Sequence, residues 1–448
     1  MCGTSQQAST ALVGLLSSTV NANAVKRALY LILPAVVIAA AVALIILRPW
    51  APAVRVSEGS WPMYQYSPDH NAVFPGSLSV KWSHKSGAEI NGGFAIVGNT
   101  LYGVNFKNET FALDLQTGKR RWTATAKNIV MSTPIVTNGL VVVGSGKNEV
   151  TVDTKDQYLW SVPQGDDLLA YRIQNGSLAW RVHTLGEDMA SAGLSGSTLV
   201  LANGDMHAYG IEAATGKVVW KKPIPGVDTM GSTAVVDGTS YVIASMGVPY
   251  QYGPNTHVLA MNSATGKVLW SAPYGNSDCA PTVGGGMVFV EASINHRHDP
   301  VPIGGYNEVY GIDAATGKLR WKYTAENHGF YTSVGSSERA VAGTYDKGVL
   351  YQSLPVSTEF AAFQARTGKL LWKIDTEGTV KMSPVVSNGV VYFGDSSGLL
   401  YTVNANTGRI ANVKVFRAPF ATSPPILYGA TLFIANGDTV YAIPRSEL

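Results

Sequence analysis

Apolar and polar positions along this chain alternate in short runs, and the runs recur. Residues 309–321 (VYGIDAATGKLRW) show the unit most fully. Residues 309–313 alternate as a strand, 314–317 read as a turn, and 318–321 as a second strand with Leu319 and Trp321 on one face and Arg320 on the other. Asp313 can accept backbone N–H bonds at the strand end, and Gly317 supplies the positive φ that such a turn needs. Near-copies stand at 111–122 (FALDLQTGKRRW), 208–220 (AYGIEAATGKVVW), 258–270 (VLAMNSATGKVLW) and 360–372 (FAAFQARTGKLLW), with looser ones at 169–180 and 400–412. The turn glycines 118, 176, 216, 266, 317, 368 and 408 are separated by 58, 40, 50, 51, 51 and 40 residues. An all-β repeat of that period predicts propeller blades of four strands, lettered A to D from the channel outward.

The repeat supplies strands C and D, and the segment before it supplies A and B, as in 132–136 (STPIV) followed by 140–144 (LVVVG). Two strands are left over. Residues 78–82 (LSVKW) have a D-type Trp without a C strand, and 439–443 (TVYAI) form a C strand without a D. Their pairing closes the ring and removes its exposed edges, which gives eight blades. Seven is the alternative, because Asn412 stands where the other copies carry Trp. The residues expected to lock the blades are Trp82, Trp122, Trp180, Trp220, Trp270, Trp321 and Trp372.

The hydrophobic pattern changes once. Residues 28–47 (ALYLILPAVVIAAAVALIIL) are apolar without a charge and long enough to span a bilayer. The segment is longer, and starts later, than a signal-peptide core. Lys26 and Arg27 before it favour a cytoplasmic N-terminus. The expected organisation is therefore a cytoplasmic segment 1–27, a signal anchor 28–47, a Pro-punctuated linker 48–60 and the propeller 61–448 outside the cytoplasmic membrane.

Of the chain's 448 residues 14% are charged, against roughly 25% in typical proteins. A net charge of +3 without a Lys/Arg run argues against nucleic acid. Cys2 and Cys279 flank the apolar segment, which argues against an internal disulfide.

Alternating strand directions put A–B and C–D turns on one face and B–C and D–A loops on the other. The long insertions at 146–167, 246–256, 292–306 and 323–338 all fall on the second face, where binding is expected. Two of these loops carry His296, His298 and Asp299, and His328, Phe330 and Tyr331. They are read as a ligand or partner contact rather than a zinc site, because no ligand spacing completes a zinc set. Tyr158 and Trp160, with Asp153, Asp156, Asp166 and Asp167, form an acidic and aromatic stretch suited to a protein or saccharide contact. Asp278 is the carboxylate to test first at the channel mouth. Met131, Met189, Met230 and Met382, with Cys279, open successive A strands and read as apolar channel lining rather than a Cu(I) site.

The repeats resemble the PQQ-like β-propeller repeat shared by BamB-type outer-membrane assembly lipoproteins and quinoprotein alcohol dehydrogenases. The A-x-D-x-x-T-G-K-x-x-W pattern carries the resemblance, and 61–71 (WPMYQYSPDHN) is similar to the W-P-x-x-x-x-x-P-x-H opening segment of such chains. The BamB side implies a binding scaffold in envelope or surface assembly, with a protein partner on the B–C/D–A face. The dehydrogenase side implies an oxidoreductase using PQQ with Ca²⁺. The chain has no adjacent cysteines and is shorter than those enzymes, so no catalytic residue carries over and no cofactor is expected outside that alternative. Polysaccharide binding by the aromatic loops is a third expectation.

Overall fold

In the computed structural model, residues 60–146, 166–226, 231–245, 256–274, 280–294, 306–325 and 341–448 are described, with the strands Thr151–Val152 and Tyr158–Leu159. The apolar segment 28–47 lies outside them. Among the described residues no helix is long and apolar enough to cross a membrane.

The fold is an eight-bladed ring of four-stranded antiparallel sheets. The third blade shows the plan: A Gly193–Ser195, B Thr198–Asn203, C His207–Glu212, D Val218–Pro223. B and C are near-continuous runs buried on both faces, while D is exposed except at Trp220. Strand A is three residues long in every blade, as in Ile135–Thr137 and Val385–Ser387. In the second and seventh blades Pro134 and Pro384 precede it, and a proline has no N–H for the ladder.

The eighth blade joins the chain ends. Its A, B and C strands are Ile426–Tyr428, Thr431–Asn436 and Thr439–Pro444, and its D strand is Trp82–Lys85, pairing Trp82 with Ala442 and Lys85 with Thr439. The paired run begins at Trp82, so the expected strand 78–82 is displaced towards the C-terminus. All D strands likewise continue past the Trp, as in Arg120–Thr125. In the first seven blades the C–D pair has a register shift near the end of the C strand, between Gly311 and Ile312 in the fifth blade, which places Trp321 opposite Gly311 in mid-strand.

The core lies between blades. One apolar cluster combines Val142, Leu168 and Trp180 of the second blade with Leu199, Leu201 and Ile211 of the third. The innermost strands are joined by hydroxyls. Gly93 N–H donates to Thr133 Oγ1 (3.0 Å), Thr133 N–H to Ser191 Oγ (2.7 Å) and Ser191 N–H to Ser232 Oγ (3.2 Å), linking the first four blades.

Seven indoles join blades at the outer layer. Each Trp of a D strand stacks on the turn glycine of the next blade, from Trp82 on Gly118 to Trp372 on Gly408. Its Nε1–H donates to a carbonyl of the same turn at 2.8–3.2 Å. The seventh blade has exposed Asn412 at this position. The blade that follows it is the one closed by two chain ends, so no C–D turn exists there to receive an indole. Arg445 occupies the joint instead, with Nε 3.2 Å from the Tyr392 hydroxyl and its guanidinium 5.8 Å from that ring.

Candidate functional site

Residues 61–74 do not extend any blade outward. They cross the ring and fill its channel at the level of the A strands. Trp61 exchanges N–H···O bonds with Val136 (2.7 and 3.0 Å), and the N–H groups of Leu194, Val283, Tyr345 and Leu427 donate to the carbonyls of Pro62, Pro68, Asp69 and Ala72 at 2.6–2.9 Å. Asn71 imitates a strand with its side chain: Val386 N–H donates to Oδ1 and Nδ2–H donates to Val386 O, both at 2.9 Å. Each of these six partners is the middle residue of an A strand. An inner strand otherwise turns an unpaired edge to the channel, so one segment satisfies this position in six of the eight blades. Val73–Phe74 then pairs in parallel with the A strand of the eighth blade.

His70 sits within this plug and is buried. Thr282 Oγ1 donates to Gly343 O (2.8 Å), so its oxygen is left to accept from His70 Nδ1–H at 3.1 Å, which assigns the tautomer. Burial without a carboxylate partner lowers the imidazole pKa to about 3. The neighbouring Asp69 carboxyl is raised, chiefly by burial.

The opposite face is built from loop ends capped by polar residues that finish the B strands. Asn203 Nδ2 reaches the Glu187 carbonyl (3.0 Å) and Asp188 Oδ1 (2.5 Å). In the seventh blade Asp395 accepts from the N–H of Gly378, Ser397 and Leu399 at 2.9–3.0 Å. Asp188 is fully buried in the connection from the second to the third blade. Desolvation dominates its environment, Asp166 and Asp205 add like charge, and its pKa rises to about 8 against the opposing bonds from Thr184 and Asn203. Thr184 Oγ1 donates to Asp188 Oδ2 (2.5 Å) and lies 3.0 Å from Gly186 O. Asp188 is thus a buried carboxyl whose affinity for a proton is raised, with its oxygens turned into protein.

Of the candidate residues, His296, His298, Asp299, His328, Phe330, Tyr331, Trp160 and Asp278 lie outside the described residues. Tyr158 falls in the two-residue strand Tyr158–Leu159, which pairs with Thr151–Val152. Asp166 and Asp167 are not an exposed rim: both are buried, Asp166 accepting from Asn128 (2.9 Å) and Asp167 meeting Arg181 (3.4 Å) and His183 (3.2 Å). Met189 and Met382 are buried, and Met382 Sδ accepts from Gly394 N–H. Among the described residues no three His, Cys, Asp or Glu side chains converge as a metal site requires. Asp188 and the channel-crossing role of His70 were not found from sequence. The available signals were polar residues ending some B strands, as at Asn105, Asn203 and Asn436, and the histidine of the opening motif.

A ring of eight such blades with tryptophan-to-glycine joints defines a PQQ-like repeat β-propeller. The chain belongs to the family described as outer membrane protein assembly factor BamB, whose profile matches residues 75–298 and 228–447. Relatives include the tetrathionate hydrolase of Acidithiobacillus ferrooxidans, 25% identical over 374 residues (80% of this chain, 73% of that protein). BamB of Salmonella typhimurium is 24% identical over 375 residues (81% and 74%). Among solved structures, a quinohemoprotein alcohol dehydrogenase of Pseudomonas putida HK5 superposes with a TM-score of 0.61 at 13% identity, covering 86% of this chain and 80% of that one. A europium-containing methanol dehydrogenase gives 0.61 at 14% identity, covering 85% and 91%. These two likenesses are of fold.

Proposed function

We propose that this chain is an extracytoplasmic binding propeller that works through its B–C/D–A face, as a scaffold contacting a protein partner in envelope assembly, with residues 28–47 as its membrane anchor. The observation that supports this most is the plug. Residues 61–74 occupy the channel from the A–B side, and the alternation of strand direction assigns the long insertions of the sequence to the other face, which supports that face as the one used for recognition. Family membership supports envelope assembly as the process. The test is cross-linking from membranes with the full chain and with variants shortened at 146–167 and 292–306. Loss of the cross-linked partner is the expected result, and an unchanged set of partners from folded variants overturns the reading.

A second reading is favoured by the similarity to a tetrathionate hydrolase along 80% of the chain: hydrolysis of a small sulfur oxyanion. Incubation of the purified chain with tetrathionate, followed by assay of thiosulfate, tests it. No product at any pH between 2 and 8 (an assay range of about two units either side of ordinary carboxyl and histidine values) removes it. Dye-coupled oxidation of alcohols or sugars with added PQQ and Ca²⁺ is the matching assay for the oxidoreductase alternative.

A further inference from the structure

The plug is recognised as a peptide is recognised. Five of the six contacts it makes to the middle residues of A strands use its own main chain, and the host supplies backbone N–H groups at that one repeated position: Val136, Leu194, Val283, Tyr345, Val386 and Leu427. Backbone pairing of this kind reads an extended chain and leaves specificity to a few side chains. Here those are Trp61, wholly buried in the apolar cluster that includes Val130 and Val136 of the ring, and His70 against Thr282.

The fit carries visible cost. Gln65, Tyr66 and His70 all have positive φ (51°, 72° and 55°), a region that L residues rarely adopt. Both polar atoms of the Gln65 side chain, and Trp61 Nε1, are buried without a hydrogen-bond partner.

We propose that the A–B end of the channel is a peptide-binding site, that residues 61–74 are its displaceable resident, and that the ligand it takes in trans is the same Trp-Pro segment of a second copy of this chain. Strain and unmet polar groups make the resident easier to displace than the blades are to open. Tethering supplies the opposing effect, because a linked segment competes at high effective concentration.

The experiment uses the full chain and a fluorescein-labelled synthetic peptide of residues 61–74, read by anisotropy. The wild type takes up the peptide weakly. Trp61→Ala in the chain weakens the resident and leaves the strand-A donors intact, so uptake rises at least tenfold. Gln65→Gly removes an unsatisfied buried amide and suits the positive φ, so uptake falls severalfold. An unlabelled peptide carrying Trp61→Ala and Asn71→Ala fails to compete. Two differently tagged copies, warmed together, co-purify, and excess free peptide prevents it. If Trp61→Ala retains its circular dichroism and melting transition yet takes up no peptide, the site is a permanent hub and the proposal fails. Should that variant not fold, Asn71→Ala serves under the same criterion. Peptide uptake without exchange between tagged copies overturns the second copy as the source.

Discussion

The indole of Trp270 lies flat on the turn of the following blade, where a Cβ added to Gly317 would stand 2.7 Å from both Cδ2 and Cε3. Its Nε1–H donates to Ala314 O of that turn at 3.0 Å. Gly317 therefore meets two requirements at once, a φ of 71° and the absence of a side chain. Gly389 in an A–B turn shares only the first, with a φ of 76° and open space for 4 Å around the place a Cβ would take.

This separates two costs. Gly389→Ala is expected to destabilise by about 1 kcal/mol, the strain of a left-handed alanine, and Gly317→Ala by about 3 kcal/mol, since the indole must also move. Urea unfolding of the two variants measures the difference. Equal shifts would show that the indole yields freely.

The missing eighth indole leads to a second expectation. Trp321→Ala removes a buried ring and its bond to Ala365 O (2.8 Å), and is expected to cost about 3–5 kcal/mol. Asn412→Trp restores the repeat consensus but meets no turn, so it should change stability by less than about 0.5 kcal/mol. A clear gain in melting temperature for Asn412→Trp would contradict this account of the joint.

At that joint, outside the apolar cluster that joins the two blades, ion pairs stand where the other joints have an indole. Glu447 pairs with Lys81 (2.8 Å) and Lys414 (3.9 Å), and Arg445 covers Tyr392. Exposed pairs weaken as salt screens them. Hydrogen exchange in Trp82–Lys85 and Ile410–Val415 should accelerate about two- to fivefold in 1 M salt, with smaller changes in D strands held by indoles. Arg445→Ala should reproduce the acceleration at low salt. Uniform exchange across all D strands would remove the distinction.

Two buried groups give opposite pH dependences. His70 titrates at about 3 in the fold and near 6.5 when free. The unfolded chain thus binds the extra proton between those values, and stability is lost as pH falls from 6.5 towards 3. Asp188 titrates at about 8 in the fold and near 3.8 when free. The folded chain holds the extra proton, and stability is lost as pH rises from 3.8 through 8. His70→Gln should flatten the acid limb and Asp188→Asn the alkaline limb of unfolding free energy against pH. Unchanged slopes would place the titrating groups elsewhere.

Blade count, strand order and ring closure were legible because the repeat marks its own register: Gly and Trp recur at fixed offsets, and the unpaired ends at 82 and 439 have one economical partner. The substitution at Asn412, which left seven blades open as an alternative, follows from that closure. Less legible were the strand ends, since the shift beside Gly311 is a matter of pairing rather than of residue type. The residues that fill the channel gave little signal: in sequence 61–71 is a Pro-rich opening stretch without a hydrophobic period.

By itself the sequence determined the architecture, because a period-2 pattern with turn glycines and one large residue per repeat can bury its apolar faces only by stacking copies around an axis. Only the tertiary structure decided what the centre of the ring contains. Residues 61–74 acquire their role from inner-strand N–H groups more than 60 residues away at the nearest contact, Val136, and about 350 at the farthest, Leu427. The Asp188 carboxyl gains its raised affinity for a proton only when folding takes it out of water beside Asp166 and Asp205. Neither property belongs to a residue or its neighbours in the chain; both arise from which distant groups the closed ring brings against them.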